Sequence, residues 1–308
     1  MVQDRAEKYL IYWYSQSGNS WVCAERAKST LERCSANVPL CESMLKEIKK
    51  ISPDESQVES QDEKKADFLI LVFPVYNFDL PVVVENFIRK LISLQSQLLP
   101  KKAYAIITKG GMEANTPWNL KKILRSYNIE LIDYCSLAVE DSYIPLRKWF
   151  GFALKKGLPN EKTLMKVDKF INDICCSRSR SKSKSRIPNR RIILFNPFSI
   201  FHWIGKFSKN FGPKSLLGKR SWDKEKCVNC ELCIKACPVN AISITLASAE
   251  SEKKFINNYD YNYDYEKCIG CCGCLNLCPT NSWTSENFHP KYYYKPSHYK
   301  NFVKIIKF

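Results

Sequence analysis

The 308-residue sequence predicts an α/β domain with a doubly wound parallel sheet, followed by a small α+β domain. Three observations predict it. Unbroken apolar runs recur through the first half, amphipathic stretches alternate with those runs, and the C-terminal part carries one cysteine pattern twice. Strands buried on both faces read as continuous apolar runs, because neither face meets water. LIYWY (10–14), FLILVF (68–73) and AYAIIT (103–108) are of that kind, and IELIDYCSLAV (129–139) is a less pure fourth. The second strand has two candidate positions, 38–41 or 44–48. Between the runs, Ala24, Ala27, Leu31 and Cys34 share one helical face. PVVVENFIRKLISL (81–94) places proline in its first turn, and PWNLKKILRSY (117–127) and NEKTLMKVDKFINDIC (160–175) complete the helical set. Alternating strands and helices of this kind imply ligand binding beyond the carboxyl ends of the strands.

The second domain rests on cysteines. CVNCELCIKACPVN (227–240) spaces Cys227, Cys230, Cys233 and Cys237 as C-x2-C-x2-C-x3-C, with Pro238 following. CIGCCGCLNLCPTN (268–281) repeats the spacing with Cys268, Cys271, Cys274 and Cys278, followed by Pro279. Cys272 is the odd thiol, aligned with Glu231. Structural zinc usually takes paired C-x2-C elements, which explains this double pattern poorly. A disulfide framework suits a short secreted chain, and nothing here marks one. The spacing resembles that of bacterial two-cluster ferredoxins. That resemblance implies two 4Fe-4S clusters with crossed ligands: Cys227, Cys230, Cys233 and Cys278 for one, Cys268, Cys271, Cys274 and Cys237 for the other. Gly270 and Gly273 suit a loop whose backbone approaches a cluster. Cys272 is expected to pack as a small, soft side chain beside its cluster, with a redox-active role as the alternative.

The formal charge of +17 is concentrated. Residues 177–220 hold twelve Lys or Arg and no acid, and 287–308 hold five, again with no acid. SRSRSKSKSR (177–186) reads as a low-complexity tether between domains 1–176 and 221–308. Nucleic-acid or phospholipid binding is the alternative for this run, and no nucleic-acid partner is expected. IILFNPFSIFHWIGKF (192–207) is apolar and aromatic, and docking onto a domain is favoured over a membrane surface. ASAESEKKFINNYDYNYDY (247–265) reads as an exposed hairpin inserted between the cysteine motifs. The N-terminus shows no secretory signal, no apolar run is long enough for a membrane span, and fifteen cysteines suit a reducing, cytoplasmic setting. Three histidines, none beside a convincing partner, leave no signal for nucleophilic catalysis.

The strand ends carry the remaining chemistry. SQSGNS after the first strand supplies Ser15, Gln16, Ser17, Gly18, Asn19 and Ser20 at a helix N-terminus, where free amides and the helix dipole favour a phosphate. No Lys or Arg lies in this loop, so it is not a P-loop. PVYNFDLP (74–81), with Pro74, Tyr76 and Asn77, follows the third run, and KGG (109–111) follows Thr108 with Gly110 and Gly111. This set resembles flavodoxin, which implies FMN with its phosphate on the first loop and its ring between the other two. Flavodoxins often place a glycine in the second loop, and 74–81 has none. The order of the two halves resembles flavodoxin–ferredoxin fusion proteins, with VEDSYIP (139–145) and HPKYYYKP (289–296) sharing in the likeness. The resemblance implies an electron carrier serving redox partner proteins, which the basic charge suggests are acidic.

Overall fold

Apolar runs too uniform to have a wet face form the interior of a parallel sheet. In a computed structural model of the chain, residues 7–34, 39–44, 66–95, 99–151, 156–176, 187, 214–246 and 259–307 are described. The basic run 177–186 and the aromatic run 192–207 lie outside them. Along the first part run β1 (Tyr9–Trp13), α1 (Asn19–Cys34), β2 (Leu40–Ser43), β3 (Phe68–Pro74), α2 (Val82–Gln95), β4 (Lys102–Lys109), α3 (Thr116–Arg125) and β5 (Glu130–Ala138). Then come α4 (Ile144–Phe150) and α5 (Glu161–Cys176).

The sheet order is β2-β1-β3-β4-β5, every neighbouring pair parallel, with Tyr12 opposite Leu71 and Ile70 opposite Tyr104. This is the flavodoxin-like doubly wound order, whose ligand crevice opens where strand order reverses, between β1 and β3. Ile11, Ile70, Leu71, Val72, Phe73, Ala105 and Ile106 are fully buried, as the apolar runs require. β2 overlaps the first of its two candidate positions at residues 40 and 41 and stops short of the second. It is an edge strand and only Ser43 in it is buried, so it lacks the apolar run of an internal strand.

Helix α1 buries Cys23, Ala24, Ala27, Thr30 and Leu31. Cys34, the last residue of the helix on that shared face, is exposed, with its thiol 3.0 Å from Asn172 Oδ1. A polar clasp joins α1 to α5. Arg26 donates to both carboxylate oxygens of Asp168, at 2.8 and 2.6 Å, and to Glu161 at 2.7 Å. Thr30 Oγ1 donates to Asp168 at 2.6 Å, so the end of this helix face is polar.

Contacts divide the chain into two units. One comprises Met1–Ser15, Asn19–Glu140 and Lys155–Lys206; the other comprises Gln16–Gly18, Asp141–Leu154 and Phe207–Phe308. The second therefore takes in α4 as well as the cysteine-rich part expected from residue 221 onward. Ile144 of α4 is fully buried in the same core as Cys272, Leu275, Trp283 and Phe288. Its other elements are β6 (Arg220–Trp222), α6 (Leu232–Lys235), β7 (Ile242–Leu246), β8 (Tyr259–Tyr263), α7 (Gly273–Leu277), β9 (Trp283–Ser285) and α8 (Tyr299–Lys307). β6 pairs antiparallel with β9, and β7 with β8.

One expectation changes here. The stretch 247–265 is not wholly an exposed insertion. Its last part is β8, in which Tyr261 is buried and lies between Trp222, tilted at 5.0 Å, and Trp283, edge-on at 6.4 Å. The alternation in β8 places Tyr261 and Tyr263 on one face of the strand, the period that a half-buried strand requires. Residues 247–258 lie outside the described residues.

Candidate functional site

The cysteine loops are built the same way twice, forty-one residues apart. In each, a residue in the left-handed region precedes the second cysteine (Asn229, φ 50°; Gly270, φ 71°). A second left-handed residue follows it (Glu231, φ 56°; Cys272, φ 61°) and caps a helical turn, α6 or α7. A third follows the proline (Asn240, φ 50°; Asn281, φ 53°). Short polar or Cβ-free residues dominate these places because most side chains clash there. The turns fold each loop back so that its thiols face inward.

Two cavities result. Cys227, Cys230, Cys233 and Cys278 line one; Cys237, Cys268, Cys271 and Cys274 line the other. Each cavity thus draws three cysteines from one motif and the fourth from the other. Ser282 N–H donates to Cys278 Sγ at 3.1 Å, and Ala241 N–H donates to Cys237 Sγ at 3.2 Å, the same bond in each repeat. Three buried polar atoms on the cavity walls, Tyr261 Oη on the first and Arg220 Nε and Tyr263 Oη on the second, have no hydrogen-bond partner among the described residues. Four thiols and an unsatisfied donor around each space suit an acceptor-rich iron–sulfur cubane.

Burial sets the state of the thiols. It pushes Cys233 up to about 12 and holds Cys271 and Cys274 well above the ordinary thiol range. Burial opposes ionisation of Cys278 as well, but hydrogen bonds from the Trp283, Thr280 and Ser282 amides and the Thr280 hydroxyl outweigh it and bring that thiol down. Iron binding at Cys233, Cys271 and Cys274 must therefore release their protons. Cys272 is 2% exposed, lines the second cavity and packs on Ile144 and Leu275, the role of a small apolar side chain.

In the first unit the loops after β1, β3 and β4 meet at the crevice. Ser15, Asn19 and Ser20 are buried. The Ser20 and Thr108 hydroxyls lie 2.8 Å apart, and Asn19 Nδ2 donates to the Glu140 carbonyl at 2.9 Å. Gln16, Ser17 and Gly18 (φ 89°) form the loop tip that groups with the second unit. Pro74 ends β3, and Val75 N–H donates to the Thr108 carbonyl at 2.8 Å. Tyr76 and Asp79 exchange backbone hydrogen bonds across a two-residue turn in which Asn77 (φ 49°) and Phe78 (φ 61°) are both left-handed. Without glycine, the second loop thus still adopts a primed turn. The Tyr76 ring meets Tyr14 edge-on at 6.1 Å. A Cβ at Gly111 would meet nothing within 4 Å, so the third loop is open there. The donor set of the first loop is hydroxyls, amides and the N-terminus of a sixteen-residue helix, with no acid among residues 15–20. Such a set fits a phosphate.

Comparison with known proteins agrees with the cysteine geometry. Residues 226–282 match the 4Fe-4S dicluster domain family. With the strand order, this defines the chain as a flavodoxin-like domain joined to a 4Fe-4S dicluster domain. Among solved structures, a flavodoxin from the domain Archaea overlaps with TM-score 0.38 at 15% identity, covering 55% of this chain and 96% of its own. Two-electron reduced Megasphaera elsdenii flavodoxin gives 0.35 at 13% identity, covering 53% and 97%. The Trp repressor binding protein of Bacillus subtilis gives 0.36 at 15% identity, covering 57% and 100%. The strand order, rather than these overlaps, defines the fold. No curated protein sequence matches the chain. No helix among the described residues is long and apolar enough to cross a membrane.

Sequence reasoning missed the walls of the cavities. Arg220, Tyr261 and Trp283 line them, and none belongs to a cysteine motif. The available signal was the repeat itself, because the register of forty-one residues carries on to Arg220 and Tyr261, seven residues before each first cysteine.

Proposed function

We propose that the chain is an electron-transfer protein that passes electrons between FMN and two 4Fe-4S clusters and on to redox partner proteins. The observation that carries this reading is the pair of cavities, each lined by four cysteines shared between the two motifs. A bound flavin supplies exchange of two electrons or one, and each cubane exchanges one. The chain's own residues position these groups. The hydroxyls of Ser15 and Ser17 and the amides opening α1 are suited to hold a phosphate, Tyr76 offers a ring face, and Gly110 and Gly111 leave room for a flat ring beside β4. The amides of Ala241 and Ser282 donate to the Cys237 and Cys278 sulfurs and would favour added negative charge on bound cubanes. An acidic surface on the redox partner would complement the basic charge, and a chain of fifteen cysteines suits a reducing cytoplasmic setting.

Anaerobic purification with FMN, iron and sulfide quantification tests the cofactors; about eight irons and one flavin per chain are expected. Stopped-flow reduction then tests the relay, in which flavin and cluster absorbance bleach as a connected system. Chain that lacks flavin after cluster removal would make the first domain an interaction platform. Turnover of a small molecule without an acceptor protein would make the chain a reductase.

A further inference from the structure

The two cavities are related by the forty-one-residue repeat, so a difference between equivalent wall positions is a difference between the cofactors they hold. Val228 matches Ile269, Thr280 matches Val239, Ser282 matches Ala241 and Trp283 matches Ile242, all uncharged exchanges. Two pairs alter charge. Tyr261 on the first cavity matches Arg220 on the second, and Glu231 on the first matches Cys272 on the second. Both exchanges run in the same direction. One cavity has an acid on its wall and no cation; the other has a cation and no acid.

Arg220 is the stronger of the two features because it is buried. It is 6% exposed, whereas half of the Glu231 side chain is in solvent. One guanidinium nitrogen, Nη1, donates to the Gly218 carbonyl at 2.5 Å. Nε has no acceptor, and no carboxylate forms an ion pair with the guanidinium among the described residues. A buried guanidinium without an anionic partner is costly. The fold meets that cost if the missing partner is the occupant of the cavity.

We propose that Arg220 holds the cluster of the Cys237, Cys268, Cys271 and Cys274 cavity at a higher reduction potential than its counterpart, so that the first electron entering the domain settles there. The inference rests on the two-cluster reading above. A cubane with four thiolates is a dianion when oxidised and gains one further negative charge when reduced. Its attraction to a fixed neighbouring cation therefore strengthens on reduction, and more so in a low-dielectric interior than in water. Tyr261, the equivalent on the first cavity, offers a neutral hydroxyl and no net charge. The electron balance is simple: the reductant loses one electron, the cluster beside Arg220 gains it, and no proton need move because the guanidinium remains charged throughout.

The test uses the full chain, purified anaerobically. Iron and sulfide are counted first, and about four of each instead of eight would sink the two-cluster reading whatever Arg220 does. Dithionite titrations followed by electron paramagnetic resonance then compare wild type with Arg220→Gln and Arg220→Lys. The Gln variant should lower the higher of the two potentials and leave the other in place, and the Lys variant, which keeps the charge, should leave both near wild type. No shift, an equal shift of both, or a shift of the lower one alone overturns the proposal. Two equivalent, interacting centres also titrate in two steps, so splitting in the wild type alone decides nothing. If the Gln variant loses iron, wild type grown with nitrogen-15 arginine and reduced sub-stoichiometrically decides by electron–nuclear double resonance. A guanidinium nitrogen coupled to the first cluster spin is expected, and its absence overturns the assignment.

Discussion

Arg147 Nε–H donates to the carbonyl oxygen of Tyr292 across 3.1 Å, tying α4 to the segment that follows the second cysteine motif. The same guanidinium lies 4.9 Å from the centre of the Tyr294 ring and donates from Nη1 to the Asp141 carbonyl at 3.0 Å. Asn276 Nδ2, within the second motif, donates in turn to the Ser142 carbonyl at 3.0 Å. Residues 141–147 therefore help build the unit that carries the cysteines, although they directly follow the parallel sheet in sequence.

Arg147→Ala should then destabilise the cysteine-rich unit by about 2 kcal/mol, the sum expected for charged hydrogen bonds and a cation–π contact. Urea unfolding followed by loss of cluster absorbance measures it. An Arg147→Lys variant should recover only part of the loss, because a point charge cannot reproduce the fork of donors. Unchanged unfolding of the Ala variant would mean that α4 contributes nothing to this fold.

The α1–α5 clasp predicts a pH signature in the first unit. The Arg26 hydrogen bonds, the largest influence, hold the Asp168 carboxyl below the usual carboxylate range, with Thr30 assisting against partial burial. The folded value lies below the unfolded one, so the unfolded chain binds more protons in that window and stability falls as pH drops through it. Asp168→Asn should cost about 2 kcal/mol at pH 7. The gap to wild type should narrow below about pH 4 and close once Asp168 is protonated in both states. Urea titrations of both proteins at neutral and acid pH check this, and a gap that persists in acid would show that the carboxylate charge is not responsible.

Much of this organisation was legible because it depends on local pattern. The apolar runs at 68–73 and 103–108 became β3 and β4, since strands buried on both faces leave no polar positions. The cysteine spacing announced the cavities because ligand geometry tolerates little variation in loop length. β2 was harder to place because an edge strand with three part-exposed residues carries no run. The polar clasp on α1 was not legible, because helical period alone cannot foresee Asp168 of α5, 138 residues after Thr30. Tyr261 looked like part of an insertion, since its place between Trp222 and Trp283 is set by tertiary packing.

The second loop of the first unit predicts a coupling between backbone strain and ring binding. Phe78 at φ 61° is unfavourable for a side chain with a Cβ, by about 1–2 kcal/mol. Such a conformation persists only where its surroundings over-determine it. Asp79 Oδ1 does so by accepting from Leu80 N–H at 2.6 Å and Asn119 Nδ2 at 2.5 Å. Asp79→Ala should destabilise the first unit by about 1–3 kcal/mol. On the proposed function it should also weaken FMN binding about tenfold, or ~1.4 kcal/mol, as read by quenching of flavin fluorescence. Full affinity in a destabilised variant would separate the turn from the flavin.

The crossed arrangement of ligands predicts which pairs of cysteine losses are redundant. Cys237 lines the cavity of Cys268, not that of its own motif mate Cys227. Removing Cys237 and Cys268 together should therefore empty one cavity and spare the other, leaving about four irons per chain. Removing Cys237 and Cys227 together strikes both cavities and should leave almost none, even though the number of lost thiols is the same. If each motif instead held its own cluster, these outcomes would exchange. Cys272→Ala provides the internal control: the side chain is buried on the wall and has a neighbour at each ligand position, so iron content should stay at the wild-type level. Its loss of iron would make the fifth thiol of the second motif a ligand, and the assignment of Cys237 across the repeat would fail with it.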